Sequence, residues 1–329
     1  MLYQGLIIFL AFISSFSLTY LLRKIAIKRK LMDVPNERSS HIVPIPRVGG
    51  IAIVLTWYLS LVILFLFGYI NKSLFYALLC GLPIAIISFI DDIKSISAHL
   101  RLFVHFASAI LAFWFLGGLR QFLLYDAGFH YMYLIYPIFI LGMVWFINLF
   151  NFMDGIDGFA SNEAITISLV LLVFSGSIVT LLLIACISGF LYWNLSSKRI
   201  FLGDTGSTQL GFILIVLGLY FHNKFNLSIL NWLMIAGPFW FDATFTLYLR
   251  WRNKEKLSEA HRKHAYQRLV QAGFSHKRVN LILIAINAGI FGIILIYRWF
   301  DFLKVPLTAA SIIGFYYLYK KVDKMVPFK

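Results

Sequence analysis

Asn148-Leu-Phe-Asn151-Phe-Met-Asp154-Gly-Ile-Asp157-Gly-Phe-Ala160 closes an apolar run that begins near residue 131. Two amides and two carboxylates therefore stand at the end of a hydrophobic span. Each Asp precedes a Gly, the residue that lets backbone turn sharply and approach a ligand closely. Ionisable groups are costly at membrane depth, which makes them candidates for function. The chain around them is 60% hydrophobic and 13% charged, with a mean hydropathy of +0.83. That excludes a soluble globular protein and a disordered one, and reads as an all-α, polytopic membrane protein.

Working outward, apolar runs give spans near 4–22, 48–68, 73–90, 102–117, 131–150, 161–175, 177–194, 208–221, 228–249, 279–297 and 305–319. The expectation is about 11 transmembrane helices, with 10 as the alternative. One helix over 161–194 would run about 50 Å against a hydrocarbon core of ~30 Å. Two short spans turning at Ser175-Gly176-Ser177 fit better. The first run lacks a basic front end and a small-residue cleavage site, and reads as a retained anchor. No repeat or second domain is visible, so 1–329 reads as a single integral-membrane domain.

With eleven spans and the N-terminus external (periplasmic), 24 of the 29 Lys and Arg fall on the cytoplasmic face together with the C-terminus. They lie in loops near 23–47, 91–101, 195–207 and 250–278 and in the final tail, while the loop near 151–160 carries the acids. This skew fixes the expected orientation, and accounts for the net charge of +15 without a nucleic-acid partner. Cys80 and Cys186 both lie in apolar runs and read as small buried hydrophobes.

On this map Asp91, Asp92, Asp154, Asp157 and Asp204 all come to the cytoplasmic face. Singly, each has a plain reading. Asp91-Asp92 could cap a span beside Lys94, Asp-Gly-x-Asp-Gly could be a turn, and Gly203-Asp-Thr-Gly-Ser207 lacks the ending of a P-loop. His261 and His264 could lie on a solvated interfacial helix from Ser258 to Val270. Arg38 and Arg47 could be positive-inside bias alone. Together the carboxylates would repel one another unless a cation shares them, and a hard divalent ion completed by anionic substrate answers that need. Acids, metal and cations at a lipid–water boundary point to phosphate chemistry with one substrate drawn from the bilayer.

Several motifs follow one another in the order of a known family. They are Asp33-x-Pro-x-x-Arg38-x-x-His41 with Pro46-x-x-Gly49-Gly50, Asp91-Asp92, Asn148-x-x-Asn151-x-x-Asp154-Gly-x-Asp157-Gly, and Asn194 with Phe201-x-Gly-Asp204-x-Gly-Ser207. This set resembles the polyprenyl-phosphate N-acetylhexosamine-1-phosphate transferases, which include the phospho-N-acetylmuramoyl-pentapeptide transferase of peptidoglycan synthesis and the enzymes that initiate O-antigen synthesis. The loop Ala260-His261-Arg-Lys-His264-Ala-Tyr-Gln-Arg268 lacks the three consecutive histidines of the peptidoglycan enzymes and looks more like the O-antigen-initiating branch.

The resemblance implies that a UDP-linked N-acetylglucosamine, N-acetylfucosamine or N-acetylquinovosamine gives its sugar-1-phosphate to undecaprenyl phosphate, releasing UMP. It implies magnesium, with manganese as the alternative, bound by Asp204 and Asn151. Phe201 and Asn194 would meet the uridine, and Arg38, His41, His261 and His264 would hold the substrate. Asp91 or Asp92 would be the general base on the lipid phosphate, with Asp154 and Asp157 shaping the field as catalytic residues. Because a phosphate monoester loses its second proton near pH 6, Asp91 could act by placement instead, and a covalent aspartyl route stays open. The resemblance further implies the bacterial cytoplasmic (inner) membrane, a cytoplasm-facing active site and a homodimer. The alternatives are the peptidoglycan step itself and a secondary transporter with intramembrane carboxylates.

Overall fold

The structure, a computed structural model, describes residues 2–33, 43–119, 132–196, 199–225, 227–257, 259 and 261–328. Helices α1 (Leu2–Lys28) and α2 (Gly50–Leu66) flank a short antiparallel ladder, in which β1 (Met32–Asp33) pairs with β2 (Ile45–Pro46). Then come α3 (Lys72–Leu79), α4 (Leu82–Ile93), α5 (Ala98–Phe115), α6 (Met132–Phe152), α7 (Phe159–Ser175), α8 (Ile178–Leu195) and α9 (Gly203–Phe225). The chain closes with α10 (Ile229–Ile235), α11 (Gly237–Arg252), α12 (Ala265–Gln271), α13 (His276–Trp299) and α14 (Lys304–Met325).

Chain chemistry sets the boundaries. Asn71 caps α3, its Oδ1 accepting from the Leu74 amide at 2.9 Å. Pro83 occupies the first turn of α4, where its missing N–H costs nothing. Between α7 and α8, Gly176 takes a left-handed φ of +61° and Ser177 caps the next helix. The turn expected at Ser175–Ser177 is therefore present, and 161–194 forms two helices.

Among the described residues, seven stretches are long and apolar enough to cross a membrane: Tyr3–Lys28, Lys72–Ile93, Ala98–Phe115, Ile135–Phe152, Ile178–Leu195, Gly203–Phe225 and His276–Ile296. Helices α2 and α7 are apolar but shorter. The two remaining expected spans fall on α10 and α11, which meet in a break at Ala236, and on α14. The chain is an all-α, multi-pass membrane protein.

Helix α9 is the axis of the bundle. The span Gly203–Phe225 is almost wholly buried and packs against α2, α4, α6 and α7. Gly50 and Gly206 let α2 cross the start of α9 backbone to backbone, since a Cβ on Gly50 would collide with the Gly206 Cα. A helix enclosed by other helices delivers its first turn to a fixed place. That first turn carries Asp204.

Candidate active site

The site is built on the N-terminus of α9. Asp92, in the last turn of α4, accepts from the Asp204 amide at 2.9 Å through Oδ1 and from the Thr205 amide at 3.0 Å through Oδ2. The Thr205 hydroxyl adds a bond of 2.6 Å to Oδ2. A carboxylate from a distant helix thus satisfies amides that the helix itself leaves open, at the positive end of its dipole. Gly203 makes this approach workable. Its φ is +73°, and a Cβ there would lie 2.8 Å from Asp92 Oδ2.

Asp91 points to a different partner. Its Oδ1 accepts from the Ile96 amide at 2.7 Å and its Oδ2 from Arg101 Nη1 at 2.6 Å. The same Arg101 nitrogen lies 3.0 Å from Asp204 Oδ2. Asn151 Nδ2 reaches that oxygen at 3.3 Å, while Asn151 Oδ1 accepts from Ser207 Oγ at 3.0 Å. One guanidinium therefore sits where two carboxylates converge, in the place expected for a shared cation.

Asp154 lies half-buried in the turn between α6 and α7. Burial, followed by the charges of Asp204, Asp157 and Asp92, holds its carboxyl well above the usual range. Asp157 is 5% exposed and its Oδ2 accepts from His276 Nδ1 at 2.9 Å and Arg199 Nη1 at 3.1 Å. Asn194 ties this turn down, accepting from the Gly158 amide at 2.6 Å and donating to the Ile200 carbonyl at 2.8 Å. Both ends of the Asn194 amide are engaged by backbone, so it acts on the site through the turn. Phe201 is fixed by its own backbone, which bonds Pro46 and Gly49.

The histidines arrive on a separate support. An interfacial helix from Ser258 to Val270 is not what forms: α12 starts only at Ala265, with His264 at its N-cap. Asp242 of α11 does the capping, accepting from the Ala265 amide at 2.8 Å and the Tyr266 amide at 3.3 Å, and His264 Nδ1 lies 3.5 Å from it. Asp242 adds these bonds to the local one from the His264 amide to Gln267 Oε1 at 3.4 Å, so the helix begins where Asp242 can reach. His261 packs on His264 at 4.8 Å between ring centres, and burial beside that imidazole pushes it down to about 3. The Tyr266 hydroxyl donates to the Phe152 carbonyl at 3.1 Å and crowds Gly155, which docks the histidine loop against the Asp154 turn.

The structure thus gathers Asp92 and Asn151 on Asp204, joins Asp91 to it through Arg101, sets Asp154 and Asp157 on the adjoining turn, and docks the loop of His261 and His264 against that turn through Tyr266. Arg38 and His41 lie outside the described residues. The ends of their segment are pinned by the β1–β2 ladder, by Arg47 Nε 3.4 Å from Asp33 Oδ1, and by the Pro46–Phe201 link. Sequence reasoning missed Arg101, His276, Arg199 and Asp242. Only Arg101 had a signal, being a cation seven residues beyond Lys94 in a short acid-bearing loop.

Among the described residues, no three His, Cys, Asp or Glu side chains form a ready-made metal site. The oxygens of Asp91 and Asp204 suit a hard divalent ion that takes its remaining ligands from phosphate. Asn151 would have to turn its amide to present oxygen to such an ion.

Comparison with known proteins gives a consistent picture. The glycosyl transferase family 4 model matches residues 74–222, the stretch holding Asp91, Asp154 and Asp204. A Bacillus subtilis (strain 168) protein named probable undecaprenyl-phosphate N-acetylglucosaminyl 1-phosphate transferase is 31% identical over 84% of this chain and 79% of its own length. Proteins named undecaprenyl-phosphate alpha-N-acetylglucosaminyl 1-phosphate transferase are 32% identical in Thermotoga maritima, over 60% of each chain, and 29% identical in Yersinia pestis, over 86% of this chain and 81% of that one.

Proposed function

The chain belongs to the polyprenyl-phosphate N-acetylhexosamine-1-phosphate transferase family, and from that premise we propose that it moves N-acetylhexosamine-1-phosphate from a UDP-linked donor to undecaprenyl phosphate. N-acetylglucosamine is the sugar in the names of the relatives, and UDP-N-acetylglucosamine is accordingly the donor we assign. A phosphate oxygen of the lipid attacks the phosphorus bearing the sugar. The bond to UMP breaks, and UMP leaves with the electron pair. One phosphoanhydride replaces another, so catalysis rests on positioning and charge neutralisation. The reading is supported above all by one observation: α4, α5, α6 and α9 deliver Asp91, Arg101, Asn151 and Asp204 to a single point at the end of a membrane bundle.

Each side chain then has a task. Both oxygens of Asp91 and of Asp92 already accept hydrogen bonds, which makes placement their first role. Asp92 holds the α9 N-terminus toward the reacting phosphates, where helix amides and dipole favour anions. Arg101 neutralises Asp91 and Asp204 and offers the rest of its guanidinium fork to phosphate oxygens. Asp154, with its raised carboxyl, would exchange a proton with the lipid phosphate. His261 and His264 supply donors for the diphosphate, and Phe201 a face for uracil. Magnesium, or manganese, held by Asp204 and Asp91 with Asn151 would neutralise charge on the donor diphosphate.

We place the acid cluster at the cytoplasmic face of the bacterial inner membrane, and the reaction at the start of O-antigen or related surface-polysaccharide synthesis. The experiment is UMP release by purified protein from a panel of UDP-sugars, with and without undecaprenyl phosphate and magnesium. Release from UDP-N-acetylglucosamine that needs both is expected. No lipid-dependent release from any UDP-N-acetylhexosamine would overturn the proposal, and release from a 6-deoxy sugar alone would reassign the donor.

A further inference from the structure

A cavity of about 450 Å³ lies between α11, α13 and α14, with Met153 and Tyr266 contributing to its wall. Its volume is that of a small-molecule site, roughly 300–1,000 Å³. The lining is divided by chemistry along its length. Phe241, Ile282, Ile286, Phe315 and Leu318 make it apolar, while Arg278 at the start of α13 and Lys321 near the end of α14 stand at one end. The two helices run in opposite directions, so moving inward from both cations leads to the apolar residues. From Arg278 to Ile286 that is about 12 Å of helix. Both cations are exposed, and among the described residues neither is paired with a carboxylate. The one acid in the lining, Asp242, has its oxygens engaged by the Ala265 and Tyr266 amides and the Thr246 hydroxyl.

A basic end at headgroup level on an apolar cleft between membrane helices is the chemistry that selects an anionic lipid. We propose that this cavity holds an anionic membrane phospholipid, its phosphate between Arg278 and Lys321 and an acyl chain among Phe241, Ile282, Ile286 and Phe315. The occupant would rest on Asp242 and Tyr266, the residues that hold α12 and the histidine loop against the Asp154 turn. The site thereby connects bilayer composition to the catalytic loop without sharing a side chain with the acid cluster.

The test is retention of phosphatidylglycerol by the full chain, measured by native mass spectrometry after equilibration in mixed phosphatidylglycerol–phosphatidylcholine micelles. Wild type should keep a single phosphatidylglycerol in preference to phosphatidylcholine. The Arg278→Gln/Lys321→Gln protein should hold it roughly 10- to 30-fold more weakly, in line with two lost juxtamembrane cations. Ile286→Trp, which fills the cleft but keeps both cations, should also reduce retention. In phosphatidylcholine vesicles with saturating acceptor, added phosphatidylglycerol should stimulate wild type and leave the double variant at its unstimulated rate. Equal retention of the two phospholipids, or unchanged retention in both variants, overturns the proposal. So does displacement of the lipid by undecaprenyl phosphate together with a raised acceptor KM in the double variant, which would make the cleft the acceptor site. Retention is read without turnover, so its outcome is separate from that of the transferase reading.

Discussion

At the scale of single residues, Arg101 and Asp154 carry the most distinctive electrostatics. Arg101 bridges Asp91 and Asp204, and Arg101→Gln leaves those carboxylates to repel each other and the substrate. Turnover should fall on the order of 10²-fold or more, as when one preorganised charge-stabilising donor is removed; a loss below threefold would show that Arg101 only covers the acids. Asp154 makes stability depend on pH. Its folded carboxyl titrates above the unfolded value of about 4, so the folded state binds more protons, and the contribution to stability falls as pH rises through that window. His261, pushed down to about 3, acts in the opposite sense: its contribution is lost as pH falls from about 6.5. Asp154→Asn without divalent ion should therefore gain Tm relative to wild type as pH rises from about 4 to 6.5. Parallel Tm profiles for the two proteins would contradict the assignment.

At the scale of elements, two joints hold the site. The first is the cap that α4 places on α9. Gly203→Ala forces a side chain into a left-handed φ and against Asp92, and should cost roughly 1–3 kcal/mol of stability together with most of the activity. Measured Tm and UMP release should fall together, whereas an unchanged Tm would mean the cap is unimportant. The second joint is α12 on the end of α6. Tyr266→Phe removes one hydrogen bond to the Phe152 carbonyl, worth about 1 kcal/mol. We expect the KM for UDP-sugar to rise several-fold with a smaller change in kcat, as befits a loop that holds substrate. Sequence pattern anticipated the first joint only as two separate motifs. It did not anticipate the second, because Asp242 looked like one polar residue in an apolar run and its partners lie 23 and 24 positions away.

At the scale of the whole molecule, the charge count expects the acid-bearing end of the bundle to face the cytoplasm. In a protein with Cys80 replaced by Ala, Lys256→Cys should be labelled by a membrane-impermeant maleimide only after the membrane is opened. Lys72→Cys should be labelled in intact spheroplasts. The reverse pattern would reject the orientation drawn from the charge count.

Hydropathy and charge by themselves determined that this chain is a helical membrane protein with its acids at helix ends, because apolar length and lipid thickness are both properties of the linear chain. The Gly176 turn was legible for the same reason: a 34-residue helix does not fit a bilayer. Motif order also singled out Asp91, Asp92, Asp154, Asp157 and Asp204. What each carboxylate does was decided only in three dimensions. Asp92 caps α9, Asp91 pairs with Arg101, Asp157 binds His276 and Arg199, and Asp154 stands in the α6–α7 turn with its carboxyl raised by burial. Those partners come from separate helices, and the energy of a charge depends on its neighbours in space, which the order of residues does not contain.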